Sequence, residues 1–184
     1  MKKGIIILVI LVILVLGYGA SAYNGFVKQN VAIDGQWAQV DNQYQRRFDL
    51  IPNLEASVKG AFTQEQEVFG AIAEARTRYA GAGSPEAKAA AANEYEGALA
   101  RLLVVMEQYP TLNSLATVQD FMVQLEGTEN RLSVERMRYN EAVRDYNTSV
   151  KTFPSVVIAG IFGFDERTYL ESAEEAATAP KVSF

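Results

Sequence analysis

Glu65, Glu129 and Glu135 have the most to say about chemistry, because each lies on or beside an otherwise apolar helical stripe. Carboxylates brought together inside a helix bundle can bind a metal or carry a proton. A carboxylate buried alone is strongly disfavoured, so each needs a partner. Cations stand in the same stripes: Arg47, Arg76 about three turns after Glu65, and Arg131 and Arg138 around the run Thr128-Glu129-Asn130-Arg131. Two readings follow. One is a carboxylate-based metal or ion-binding module, or an enzyme, in the bundle core on Glu65, Glu129 and Glu135. The other is a layer of inter-helix ion pairs built from Arg47, Glu65, Arg76, Glu129, Arg131 and Arg138, which sets helix register as a lone polar core residue can in a coiled coil. The chain contains neither histidine nor cysteine. Ser-His-Asp and Cys-His sites and the imidazole metal clusters are therefore excluded, and helical di-iron sites ordinarily need a Glu-x-x-His pair. The structural layer is the preferred reading, with no catalytic residue, metal or cofactor assigned and no enzymatic role expected.

The remaining motifs carry less. Gly81-Ala82-Gly83 lacks the strand, lysine and spacing of a phosphate loop. Asn147-Thr148-Ser149 matches the glycosylation pattern but falls inside a predicted helix and is discounted. Tyr23, Tyr139 and Tyr146 each precede an asparagine, a pattern better suited to a packed ring beside a capped amide than to a ligand box. Arg46 and Arg47 precede Phe48, and one of the pair is expected to be bound in the bundle while the other is solvated. A net charge of −5 disfavours nucleic acid, and adsorption of the body to anionic lipid on the same ground.

The elements that must position these residues are helices throughout, since no stretch alternates with a period of two. A seven-residue ladder runs through Trp37, Tyr44, Ile51, Val58, Glu65, Ile72 and Tyr79, with Val40, Arg47, Leu54, Ala61, Val68 and Ala75 between. Its phase holds across Pro52, which predicts one long helix kinked there, with a tight helical turn as the fallback. Ser84 and Pro85 are suited to N-cap and first turn of a second helix reaching about Tyr109, with Ala91, Tyr95, Ala98, Leu102, Val105 and Tyr109 inward. Thr111 opens a third to about Thr152, striped by Val118, Leu125, Leu132, Tyr139, Tyr146 and Phe153. Short connections imply antiparallel neighbours. The third helix overhangs the second, and the apolar run Val156 to Phe164, too short to cross a bilayer, is expected to fold back over the overhang rather than dip into the membrane.

Ahead of this body, Ile5 to Leu16 is an unbroken run of Ile, Leu and Val behind Lys2 and Lys3. Extended through Ala22 it approaches the hydrocarbon thickness of a bilayer as a helix. A cleaved secretory signal ending at Ala20-Ser21-Ala22 is the rival, and the retained anchor is preferred. Basic residues before the span, against Lys28 with Asp34 and Asp41 after it, predict a short cytoplasmic start and an extracytoplasmic body. The expected organisation is an anchor over 1–22 that contacts the bilayer through residues 4–22, a helical domain over 23–170 and an acidic, Ala-rich flexible tail over 171–184.

The chain closely resembles the bacterial LemA family. The resemblance is carried by Tyr23-Asn24, Trp37, the block Arg46-Arg47-Phe48-Asp49-Leu50-Ile51-Pro52-Asn53-Leu54, Val58-Lys59-Gly60, Glu65, Ala75-Arg76, Tyr109-Pro110, Thr128-Glu129-Asn130-Arg131, Arg138-Tyr139-Asn140, Tyr146-Asn147, Phe153-Pro154, Phe162-Gly163-Phe164 and the closing Pro180-Lys181-Val182-Ser183-Phe184. Gln64 stands where the family often has histidine, which argues against an imidazole role beside Glu65. The resemblance implies an all-α, single-pass membrane protein whose body is an antiparallel up-down helical bundle of four-helix type, and implies no particular reaction. Some relatives are linked to membrane organisation.

The preferred function is a membrane-tethered scaffold that holds a protein partner, or copies of itself, by helix-to-helix contact. Val156, Ile158, Ile161, Phe162, Phe164 and Phe184 are its expected contact points. The alternative is the carboxylate ion-binding module. A sensor would need a partner to supply a cytoplasmic part.

Overall fold

The computed structural model describes residues 2–58, 66–109 and 115–170. Among them the secondary structure is all helical: α1 (Lys2–Phe48), α2 (Ile51–Val58), α3 (Gln66–Gly81), α4 (Pro85–Glu107), α5 (Ala116–Lys151) and α6 (Ser155–Phe162). The Pro110-to-Ser114 stretch with the expected Thr111 cap, the tail over 171–184 with Phe184, and Glu65 lie outside the described residues. The described residues form two compact units, residues 2–38 with 137–169 and residues 39–136 with 170.

In the first unit α1 and α5 pair antiparallel. Trp37 meets Tyr139 edge-on with ring centroids 5.8 Å apart, and Phe26 meets Tyr146 at 6.4 Å. Gln29 Nε2 donates to Ser149 Oγ at 3.1 Å. Phe26, Ile33, Tyr139, Val143, Tyr146 and Val150 are buried there, so the two helices bury an aromatic seam. From Ile5 to Leu16, by contrast, every side chain is exposed, and this end of α1 is long and apolar enough to cross a membrane.

In the second unit α3 and α4 form a helical hairpin. Ser84 has an extended backbone and its Oγ accepts from the Ala87 amide at 3.2 Å, while Pro85 occupies the first turn, where no amide hydrogen is needed. Arg78 Nη1 reaches Glu94 at 2.7 Å, and Ala71, Glu74 and Ala75 face Gly97, Ala98 and Arg101, so the helices run antiparallel. Tyr44 and Phe48 from α1 complete an aromatic core with Tyr79 and Tyr95: Phe48 lies edge-on to Tyr79 at 4.8 Å and to Tyr95 at 4.5 Å. Val118, Phe121, Leu125 and Leu132 on α5 are buried as well.

Two expectations are corrected. The chain does not continue as one kinked helix through Pro52. Helix α1 stops at Phe48, the Leu50 amide donates to the Arg47 carbonyl at 3.3 Å in a tight turn, and α2 resumes at Ile51. Pro52 then sits in the first turn of a new helix, where its missing donor costs nothing. Nor does the ladder to Tyr79 lie on a single rod. The Tyr79 hydroxyl donates to Asp41 Oδ1 at 2.6 Å, although 38 residues of straight helix would hold the two about 57 Å apart. Helix α3 thus runs back along α1. Every helix facing the same core repeats its apolar residues with nearly the same period, so phase can survive a reversal. Similarly, α5 ends at Lys151, which takes Phe153 off the stripe and leaves it 82% exposed.

Candidate functional site

The polar layer of the second unit centres on Arg47, which the α1 register turns inward between Tyr44 and Phe48. Its Nη1 lies 2.7 Å from Glu129 Oε2 and 3.5 Å from Glu96 Oε1. Arg136 Nη1 stands 3.5 Å from the same Glu96 oxygen. Two cations and two carboxylates from α1, α4 and α5 form one neutral cluster. Glu96 is nearly enclosed whereas Glu129 is half exposed, and burial lifts the Glu96 carboxyl above its ordinary range against the pull of Arg136 and Arg47. Tyr95 donates its hydroxyl to the Arg47 carbonyl at 3.2 Å, and burial foremost pushes the neighbouring Tyr44 up to about 12.

Of the residues singled out in the sequence, the structure brings Arg47 and Glu129 together. It places Arg76 at the surface against Asp49, 3.3 Å away, and leaves Arg131 and Arg138 exposed. Glu96 and Arg136 were not anticipated. Glu96 sits four residues after Ala92 and three before Leu99, both fully buried, and that spacing was the available signal. Among the described residues no group of three or more metal-ligating side chains comes together. The cluster is self-neutralised, and its ion pairs join α1, α4 and α5.

Nearly two turns away along α1, Asp41 Oδ1 accepts from Tyr79 at 2.6 Å and from Lys88 Nζ at 2.8 Å. Lys88 also lies 5.2 Å from the centre of the Tyr79 ring. Burial raises the Asp41 carboxyl, but the Lys88 and Tyr79 hydrogen bonds and the Lys88 charge outweigh it, leaving Asp41 below its usual range.

The first unit holds a third feature. Asn147, buried, donates from Nδ2 to the Arg167 carbonyl at 2.8 Å and accepts from the Arg167 amide at 2.9 Å. The Arg167 side chain reaches Asn30 at 3.0 Å and Asp34 at 3.1 Å. This clasp explains the Tyr146-Asn147 pair: the ring is core and the amide is occupied. It also ties α6 to α1. Phe162 and Phe164 lie edge-on to Tyr23 at 5.0 and 5.4 Å, and Phe164 meets Phe26 at 5.0 Å. Ile158 Cδ1 lies 3.6 Å from where a methyl group on Gly19 would stand. An apolar groove of about 520 Å³ runs between Val15, Leu16, Gly19 and Ala20 of α1 and Ile158 and Ile161 of α6. Of the expected contact points, Val156, Ile161 and Phe162 are exposed and Ile158 and Phe164 half-buried.

The chain is similar to magnetosome protein MamQ 2 of Paramagnetospirillum magneticum, 27% identical over 175 residues that cover 81% of this chain and 64% of the relative. It is similar also to magnetosome protein MamQ of Magnetospirillum gryphiswaldense, 25% identical over 173 residues covering 80% and 64%. The chain thus spans just under two thirds of the length of these relatives. The profile of the LemA family matches residues 36–184, which include Arg47, Glu96, Glu129 and Arg136 of the polar layer and Asn147 and Arg167 of the clasp. The chain belongs to the LemA family.

Proposed function

We propose that this protein is a membrane-tethered helical interaction protein. Its first 22 residues anchor it, Lys2 and Lys3 hold the start of the chain on the cytoplasmic side, and the body lies outside as an antiparallel up-down bundle of four-helix type ending in the 171–184 tail. The observation that carries this reading is α1. One helix begins as an exposed aliphatic run, Ile5 to Leu16, and continues without a linker into the buried Phe26, Ile33, Val40, Tyr44 and Phe48. The antiparallel pairings of α3 with α1 and α4, and of α5 with α1, support the bundle. Similarity to magnetosome proteins supports a component of a larger assembly, and nothing of the relatives' own activity is carried over.

The contact surface is assigned to α5. Val123 and Val134 are exposed apolar side chains of the second unit that share one side of that helix, since eleven residues are close to three whole turns. Apolar positions at this spacing suit a partner helix. Crosslinking in native membranes, followed by purification in detergent and mass spectrometry, is expected to recover a stoichiometric partner or a defined oligomer. The doubly substituted Val123→Asp, Val134→Asp chain should lose it. A monodisperse monomer with nothing attached would overturn the proposal.

A further inference from the structure

Two stretches of the chain carry no charge, and the structure puts them side by side. Residues 4–27 lack Asp, Glu, Lys and Arg, as do residues 152–164. The first ends at Lys28; the second is bounded by Lys151 and Asp165. These ends are held in one layer. Gln29 bonds Ser149, Arg167 bonds Asn30 and Asp34, and Lys151 pairs with Glu166 at 2.7 Å. On one side of that polar layer the helices carry ions. On the other side residues 4–27 and 152–164 carry none, and α6 lies along the end of the apolar part of α1.

The depth of this contact can be read from α1. Ile158 meets Gly19, three residues inside the end of the 4–22 span, which is about 4.5 Å along the helix axis. The hydrocarbon half of one leaflet is about 15 Å deep. A helix that touches Gly19 and Ala20, and lines a groove with Val15 and Leu16, shares whatever solvent surrounds those residues. Along α6, Val156, Val157 and Ile161 are exposed and apolar, and Ile161 also borders the groove.

We propose that α6 is a second membrane-inserted element, a short helical tip that enters the same leaflet as the end of the α1 span, with Val156, Val157 and Ile161 against acyl chains and the groove beside Leu16 filled by one. This rests on α1 spanning the bilayer. The ligand is the hydrocarbon of the lipid, recognised by apolar surface and shape. Backbone polarity is no obstacle: the Ser155–Phe162 helix bonds its amides internally, the Val156 amide donates to Thr152 at 2.8 Å, and the Phe164 amide donates to Ala159 at 3.0 Å as the chain leaves through Gly163. The sequence favours fold-back over insertion; the segment does fold back, but onto the apolar part of α1, and the insertion proposed here is the alternative that reading sets aside.

The chain has no cysteine, so single-cysteine variants report single sites. Val157→Cys, Ile161→Cys, Leu14→Cys and Ala90→Cys, all at exposed positions, would be labelled with an environment-sensitive fluorophore in the full chain and reconstituted into phosphatidylcholine vesicles with and without nitroxide on the acyl chains. Labels at 157 and 161 are expected to be quenched as the label at 14 is, and the label at 90 to be untouched. In intact vesicles an impermeant maleimide should modify the unlabelled Ile161→Cys on the order of tenfold more slowly than Ala90→Cys, with the difference lost in detergent. Quenching at 14 but not at 157 and 161 would overturn this inference and leave the anchor standing. Loss of quenching at 14 as well would overturn the anchor itself. Protection of 161 from maleimide without quenching would mean that protein, not lipid, covers α6, and would overturn it too.

Discussion

The Asn147 carboxamide closes a ring of two hydrogen bonds with the main chain of Arg167, at 2.8 and 2.9 Å, and so fastens the segment that follows α6 to α5. Removing it leaves the donor and the acceptor of Arg167 without their partner beside the buried Asn147 position. Asn147→Ala is expected to destabilise the folded chain by about 1–3 kcal/mol, as for other orphaned buried polar groups. Asn147→Asp should also destabilise, because it keeps the acceptor but turns a second oxygen toward the Arg167 carbonyl. Urea unfolding of the full chain in detergent measures both, and an Asn147→Asp variant as stable as the parent would contradict the geometry.

The Arg47 layer predicts an asymmetry. Arg47→Ala leaves Glu96 enclosed with less compensation and should cost about 3–5 kcal/mol, the usual range for breaking one side of a buried pair. Glu129→Gln removes a half-exposed carboxylate and should cost less than about 1 kcal/mol. Equal effects in the same unfolding assay would place the layer at the surface.

Glu96 and Asp41 titrate with opposite sign. Glu96 has a folded-state value above its ordinary 4.5, so the folded state holds its proton longer than the unfolded one, and stability falls as pH rises through the window between the two. Asp41 is held below its ordinary 3.8, so its contribution is fully present above that pH and is lost as pH falls through the lowered value. Glu96→Gln should therefore flatten the stability profile above about pH 4.5, and Asp41→Asn should flatten it below about pH 4, when each is compared with the parent across pH 2.5–7.

Gly163 ends α6 with φ at 71°, in the left-handed region, and nothing crowds the site where a methyl group would stand. The strain of Gly163→Ala is therefore of the backbone alone, about 1 kcal/mol. Because this turn directs Phe164 back onto Tyr23 and Phe26, the variant should also raise amide exchange at residues 159–168 and leave α4 unchanged.

Much of this arrangement is legible in the residues. The stripe Val118, Leu125, Leu132, Tyr139, Tyr146 is buried throughout, and Ser84 with Pro85 starts α4 as their types require. The inward face of α4 holds at Ala91, Tyr95, Ala98 and Leu102, then passes to Met106 where Val105 was expected, a drift of one position at a helix end. What the sequence concealed is direction and pairing. A period of seven says that Tyr44 and Tyr79 both face a core and is silent on which way α3 runs, because the apolar period is the same read from either end. The polar layer was half visible for the same reason. Arg47 stands on a rung, whereas Glu96 flanks one, and only the approach of α5 with Arg136 makes that flank an interior.

The central claim is that one helix belongs to the bilayer at its start and to the protein core at its end. An alkaline carbonate wash of membranes carrying the full chain, with the amino terminus read by mass spectrometry, tests it directly. The account predicts that the chain stays in the pellet with Lys2 to Ala22 still attached. Release of chains that retain those residues into the supernatant would contradict it.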